Sequence, residues 1–354
     1  MASIPSSRRL IICCALMLVL AAAASAGEAR HVTVASRHER WMARFGRAYK
    51  DADEKARRQE VFGANARHVD AVNRSGNRTY TLGLNHFSDL TDHEFLQQHL
   101  GYRHHQPGPG GLLRPEDQDM SKATALADYG QDVPDSVDWR AQGAVTEIKN
   151  QRSCGSCWAF AAVAATEGLV KIATGNLISM SEQQVLDCTG GGNTCDGGDI
   201  NAALRYVAAS GGLQPEAAYA YAAQKGACRG ASPANSAASV GGARFARLGG
   251  DEGALRGLAA GQPVAVALEA SEPDFRHYKS GVYAGSASCG RRLNHGVTVV
   301  GYGAEDDSGD EYWVVKNQWG TLWGEKGYMR VARGDVAGAN CGIASYAYYP
   351  TMDS

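Results

Sequence analysis

The sequence lacks an excess of charge of either sign: 35 lysines and arginines stand against 37 acids, a formal net charge of -2 in 354 residues. A protein that binds nucleic acid through a broad basic surface is thereby excluded. So is a chain too polar to fold, because 44% of its residues are hydrophobic. Internal repeats, a phosphate-binding glycine loop and blocks of like charge are also missing. Long apolar runs are absent with one exception, residues 10–24, and those 15 residues fall short of the roughly 20 that span a bilayer. Arg8 and Arg9 before the run and Ala24-Ser25-Ala26 after it mark a secretory leader, residues 1–26, cut after Ala26. The chain beyond the leader is expected to fold away from the membrane in an oxidising lumen, where cysteine pairs persist.

The length suggests two or three folded units, and composition divides them. Residues 27–131 hold no cysteine, 8 of the 10 histidines and 15 basic against 14 acidic residues. Residues 132–354 hold 7 cysteines, 2 histidines and 18 basic against 23 acidic residues. Between them His104-His105-Gln106-Pro107-Gly108-Pro109-Gly110-Gly111 and the polar stretch after it read as a linker over residues 101–131, with the boundary near Asp132.

Seven cysteines leave one unpaired, reactive or waiting for another chain. In Gln151-Arg152-Ser153-Cys154-Gly155-Ser156-Cys157-Trp158, turn residues give way to a helix-forming run at 159–170, which places Cys157 in the first turn of a helix. Free N–H groups and the positive end of the helix dipole favour a thiolate there. A thiolate attacking a carbonyl needs a proton carrier, and histidine suits that task near neutral pH. His277 has long polar and aromatic neighbours and reads as a surface or loop residue, whereas His295 opens the strand-like run His295-Gly296-Val297-Thr298-Val299. His295 is the candidate partner.

Val133-Pro134-Asp135-Ser136-Val137-Asp138-Trp139-Arg140, the Cys154 to Trp158 stretch, Asn294-His295-Gly296 and Lys316-Asn317-Gln318-Trp319-Gly320 together resemble papain-like cysteine proteases of the plant and cathepsin L type. The earlier segment agrees. Glu54, Arg58, Phe62, Asn65, Val69 and Asn73 recur every three or four residues along one helix stripe, and Gly83-Leu84-Asn85-His86-Phe87-Ser88-Asp89 comes after them. Both are similar to the motifs of that family's inhibitory propeptides. The resemblance implies an α+β fold of two lobes, one helical and one a barrel-like antiparallel sheet, over residues 132–354. In front of it lies a helical pro-segment, residues 27–131, whose tail crosses the cleft in the non-productive direction.

The resemblance also implies roles. Cys157 is the nucleophile and His295 its ion-pair partner; Asn317 orients the imidazole under the Trp319 ring, and Gln151 stabilises the oxyanion. Gly197 and Gly198 pair with the substrate main chain, and Ile200, Ala267, Leu293, Gly296 and Tyr346 line an apolar pocket for the second residue before the cut. The cysteines pair as Cys154 with Cys195, Cys188 with Cys228 and Cys289 with Cys341. Arg152, Ala161 and Gln318 depart from the family pattern. No metal or organic cofactor is needed. Peptide substrates, the chain's own propeptide and cystatin-type inhibitors are the expected partners of a monomer bound for a vacuole, a lysosome or the outside of the cell. Asn73 and Asn77 head glycosylation sequons. Acid is expected to loosen the pro-segment through its histidines and acidic groups. Three rival readings are a thiol-disulfide oxidoreductase or half a zinc site built on Cys154 and Cys157, and a catalytically dead relative serving as inhibitor or storage protein.

Overall fold

The computed structural model describes residues 33–103, 133–230, 240–286, 289–290, 292–334 and 340–352. The leader and most of the linker lie outside them. Residues up to Gly63 form one unit and those from Ala64 onward another. In the first, helix α1 (Val34–Phe45) starts at Thr33, whose side chain accepts the Ser36 N–H. Its apolar stripe buries His38 and Trp41, and Phe62 packs on the Trp41 ring at 5.3 Å. Helix α2 (Ala52–Ser75) carries the six-residue stripe, with Glu54 paired to Arg58 at 2.8 Å.

In the second unit the far end of α2 turns the remaining stripe residues to structural use. Asn65 donates to the carbonyls of Ser88 and Leu90, and Asn73 both donates to and accepts from the backbone of Leu82. Strand β1 (Tyr80–Leu82) comes next, and then α3 (Asp92–His99), opened by a capping box between Thr91 and Glu94.

The segment after the linker begins with β2 (Val137–Asp138) and a helical part made of α4 (Cys157–Thr174), α5 (Glu182–Cys188) and α6 (Ile200–Ala209). Ser181 and Asp199 cap α5 and α6 with their side chains. The sheet part comprises β3 (Gly242–Arg247), α7 (Glu252–Gly261), β4 (Val264–Leu268), the short α8 (Pro273–Arg276), β5 (Tyr278–Tyr283), β6 (His295–Ala304), β7 (Glu311–Lys316), β8 (Tyr328–Ala332) and β9 (Tyr346–Thr351). Its strands run β1-β5-β8-β7-β6-β4-β9-β3, with β2 added to β6. Pairing is antiparallel throughout except between β5 and β8. β1 comes from the pro-segment, so the two segments share one sheet.

The fold is thus α+β, as the resemblance implies. All of β4 and nearly all of β6 are buried, and the face of α4 turned inward is rich in small residues, among them Ala159, Ala161, Ala162 and Ala165. Small side chains let β6 come close, and Thr298 of β6 donates to the Ala161 carbonyl at 3.3 Å. That approach carries His295 to the N-terminus of α4.

Candidate active site

Cys157 is the first residue of α4, fully buried, and the one free cysteine among the described residues. Cys154 is bridged to Cys195, Cys188 to Cys228 and Cys289 to Cys341. The Cys-x-x-Cys pair is therefore not joined to itself. Across from Cys157, His295 Nε2 meets Asn317 Oδ1 at 2.9 Å, and the imidazole stacks on Trp319 with centroids 4.6 Å apart. All three residues are buried, which keeps water from competing for the Asn317 contact. With Nε2 so engaged, the buried Nδ1 of His295 has no hydrogen-bond partner among the described residues. The backbone N–H of Gly296, next to His295, is directed at the Cys157 sulfur.

Gln151 is held by its own backbone: its N–H donates to the Gln318 carbonyl at 2.9 Å and its carbonyl accepts from Tyr221 at 2.9 Å. Its side-chain amide donates to the carbonyls of Cys154 and of His99. The second of these is a pro-segment carbonyl standing where an amide aimed at an oxyanion would be used. Arg152, where glycine is usual, takes φ +54° and is steadied by Asn150 Oδ1 on its N–H. The left-handed turn survives the substitution, at a cost of about 1 kcal/mol for a residue with a Cβ.

Residues 99–103 fill the cleft. The Gly198 N–H donates to the Gly101 carbonyl and the Arg103 N–H to the Gly198 carbonyl, both at 2.8 Å, while the Tyr102 N–H donates to Asn294 O at 2.9 Å. This is a parallel bridge between Tyr102 and Gly198. Both glycines are required. A Cβ on Gly101 would stand 1.9 Å from the Gly155 carbonyl oxygen, and one on Gly198 would stand 2.5 Å from the Trp158 ring. The start of the segment read as linker is thus a stretch of chain pinned in the cleft.

Burial shifts both members of the pair against their charged forms. It pushes the Cys157 thiol up to about 11, against the pull of the Gly296 and Gly101 N–H groups. It pushes His295 down to about 4, against the Asn317 hydrogen bond.

His277, expected at the surface or in a loop, sits in the turn that ends α8 but is fully buried, which corrects its exposure. Its polar neighbour Arg276 is also buried, because both face the pro-segment. Arg276 pairs with Asp92 at 2.9 Å and with Asn65 Oδ1 at 3.0 Å, and the His277 carbonyl accepts from the Gly83 N–H at 2.8 Å. In the same turn Asp274 accepts from His68 and Tyr80, each at 2.6 Å. Phe87 and Phe95 stand edge-on to Trp319, each with centroids 5.3 Å away.

Of the pocket residues, Ile200, Ala267 and Gly296 are buried, and Leu293 and Tyr346 are partly so. Three features were missed in the sequence. Tyr348 lies two residues beyond Tyr346 on β9 and hence on the same face, a period-two signal that was available. Gln318 donates to the Gly296 carbonyl at 2.8 Å with its Nε2 3.3 Å from His295 Nε2, so the unusual residue tethers the histidine strand. Beneath α4, Lys149 bridges Glu167 and Glu182 while Lys316 holds Thr146, a buried charged network drawn from five scattered positions.

A family model described as papain family cysteine protease matches residues 133–351, and one described as cathepsin propeptide inhibitor domain (I29) matches residues 38–95. Fruit bromelain of Ananas comosus is 42% identical over 323 residues, covering 91% of this chain and 87% of its own. Cysteine protease XCP2 of Arabidopsis thaliana is 41% identical over 324 residues, with 91% and 87% covered. Among solved structures, a recombinant stem bromelain precursor matches with a TM-score of 0.78 and 40% identity over 91% of this chain and 99% of that one.

Proposed function

Since the chain belongs to the papain family of cysteine proteases and carries that family's propeptide inhibitor domain ahead of the catalytic one, we propose that Cys157, His295, Asn317 and Gln151 are its working catalytic residues. The protein is a peptide-bond hydrolase made as a zymogen. Once the tail leaves, water reaches the pair and the proton moves from sulfur to imidazole. The thiolate attacks the peptide carbonyl, His295 delivers the proton to the leaving amine, and water then hydrolyses the thioester through the same imidazole. Gln151 turns its amide from the His99 carbonyl to the oxyanion, a contact worth about 3 kcal/mol. The observation that carries this reading is an unbridged Cys157 at a helix start whose sulfur receives the N–H of Gly296, the residue after a histidine already oriented by Asn317.

The apolar lining supports a preference for an apolar residue at the second position before the cut. A peptide with Leu or Phe there is expected to be cut with higher kcat/KM than one with Arg; the reverse order refutes the preference. The leader and the three bridges support a secretory route to a vacuole, a lysosome or the exterior. By resemblance, cystatin-type inhibitors would take the cleft that the tail now fills, and the enzyme would act as a monomer. The reading of a dead relative explains neither the retained residues nor a prepared His–Asn pair. To test the main reading, purified proenzyme is acidified while its mass and peptidase activity are followed. It should shorten and become active, with one thiol labelled by an active-site-directed epoxide. Cys157→Ala should stay full length and inactive, and activity in that variant would defeat the assignment.

A further inference from the structure

The apolar cluster that holds the residues assigned to the second position before the cut also contains a side chain from the pro-segment. Tyr102 pairs with Gly198, the backbone edge assigned to the substrate, and its side chain is only 4% exposed. It joins the apolar cluster that contains Ile200 and Ala267, with Leu293 and Tyr346 packed on it. Its hydroxyl does not end in hydrocarbon. It shares a 2.6 Å hydrogen bond with the hydroxyl of Tyr348, which is fully buried.

Resting on the protease reading above, we propose that Tyr348 is a specificity-determining residue that makes this enzyme favour tyrosine over phenylalanine at the second position before the cut. The Tyr348 ring is fixed from the side by Phe245, whose ring lies 5.2 Å away at 30° and also stacks on Tyr346 at 5.7 Å and 23°. Its hydroxyl therefore stays at one place in the pocket. Burial pushes both phenols above their ordinary range, so each keeps its proton and either can donate. A phenylalanine fills the same space yet leaves a buried hydroxyl without the partner it has in the zymogen, whereas a tyrosine replaces that partner atom for atom. The tail runs parallel to the Gly198 edge, but reversal of chain direction moves the backbone polarity and leaves the pocket unchanged.

The test uses the mature enzyme and three peptides that differ only in Tyr, Phe or Leu at that position. The kcat/KM for Tyr is expected to exceed that for Phe about fivefold, the worth of one net buried hydrogen bond. In Tyr348→Phe the ratio should fall to about one, and as a ratio within one preparation it does not depend on how much enzyme is active. Phe cut as fast as Tyr by the unaltered enzyme, or a ratio unchanged by Tyr348→Phe, overturns the proposal while leaving the protease reading intact. Failure to cut any of the three peptides overturns both. Should Tyr348→Phe fail to fold, Tyr102→Phe in the full proenzyme reports on the same bond: Cys157 should be alkylated about fivefold faster at pH 7, and an unchanged rate counts against the hydrogen bond.

Discussion

The pro-segment holds the enzyme in two places by two kinds of force. In the cleft, residues 99–103 use backbone hydrogen bonds to Gly198 and Asn294 and one buried tyrosine. At α8 and the residue after it, the hold depends on ionisable groups: Asp274 with His68 and Tyr80, Arg276 with Asp92, and the buried His277. Peptide groups do not titrate in acid, whereas the buried His277 is held down to about 3 and meets an increasing demand for a proton as pH falls below its ordinary range. If the tail is the block and the α8 turn the part that acid addresses, release should begin away from the sulfur it exposes, which the following variants test.

The strongest way to break this division is Gly101→Ala. Its Cβ cannot coexist with the Gly155 carbonyl, so the tail must lift, giving up three backbone hydrogen bonds and the burial of Tyr102. At about 1 kcal/mol for each bond and about 2 for the ring, Cys157 should be alkylated several thousandfold faster at pH 7. The α8 contacts should remain intact in that variant.

The next largest effect belongs to His277. Burial, then the neighbouring Arg276 charge, hold it down to about 3, so the folded proenzyme binds fewer protons than the unfolded chain below pH 6.5. Its neutral form is the stabilising one, and that stability is lost as pH falls from 6.5 towards 3, at about 1.4 kcal/mol per unit. In a Cys157→Ala background, which cannot process itself, the melting temperature should fall between pH 6.5 and 4. His277→Gln should flatten that fall, and an equal slope in both proteins removes His277 from the acid response.

The smallest expected effect is that of Asp274→Asn. Burial raises the Asp274 carboxyl, but hydrogen bonds from His68 and Tyr80 outweigh it and leave the group below its ordinary range. Its contribution is thus full above about pH 4 and disappears only as pH falls through a still lower value. The substitution should weaken the hold about tenfold at pH 7 by the alkylation assay, with little change in pH dependence above 4. A flattened profile above pH 4 would instead make Asp274 the trigger and erase the distinction from His277.

Legibility in the sequence divides along a physical line. Cys157, His295, Asn317 and Gln151 stand in short local patterns where type and spacing express the chemistry, and the helices and strands around them obey apolar periods. The buried setting of Arg276 and His277 was not legible, because Asn85, Gly83 and Asp92, which bond this turn, lie nearly two hundred residues earlier. The burial that shifts Cys157 and His295 against their charged forms is likewise not written in their local motifs. The network of Lys149, Glu167, Glu182 and Lys316 is scattered over the sequence and leaves no local period at all.

Strand β1 pairs with β5 along Tyr80 to Leu82, and on its other side β5 meets β8 only at Val282 and Tyr283. Maturation removes β1 and turns β5 into an open edge whose vacant N–H and C=O groups invite a foreign strand. Protection against self-association is already present there: exposed Lys279 puts a charge on that border, and Gly281 at φ +96° bends it out of regular extension. The shed segment thus serves until maturation as a cover for a margin prone to aggregation, and the residues beneath it suit a life without that cover.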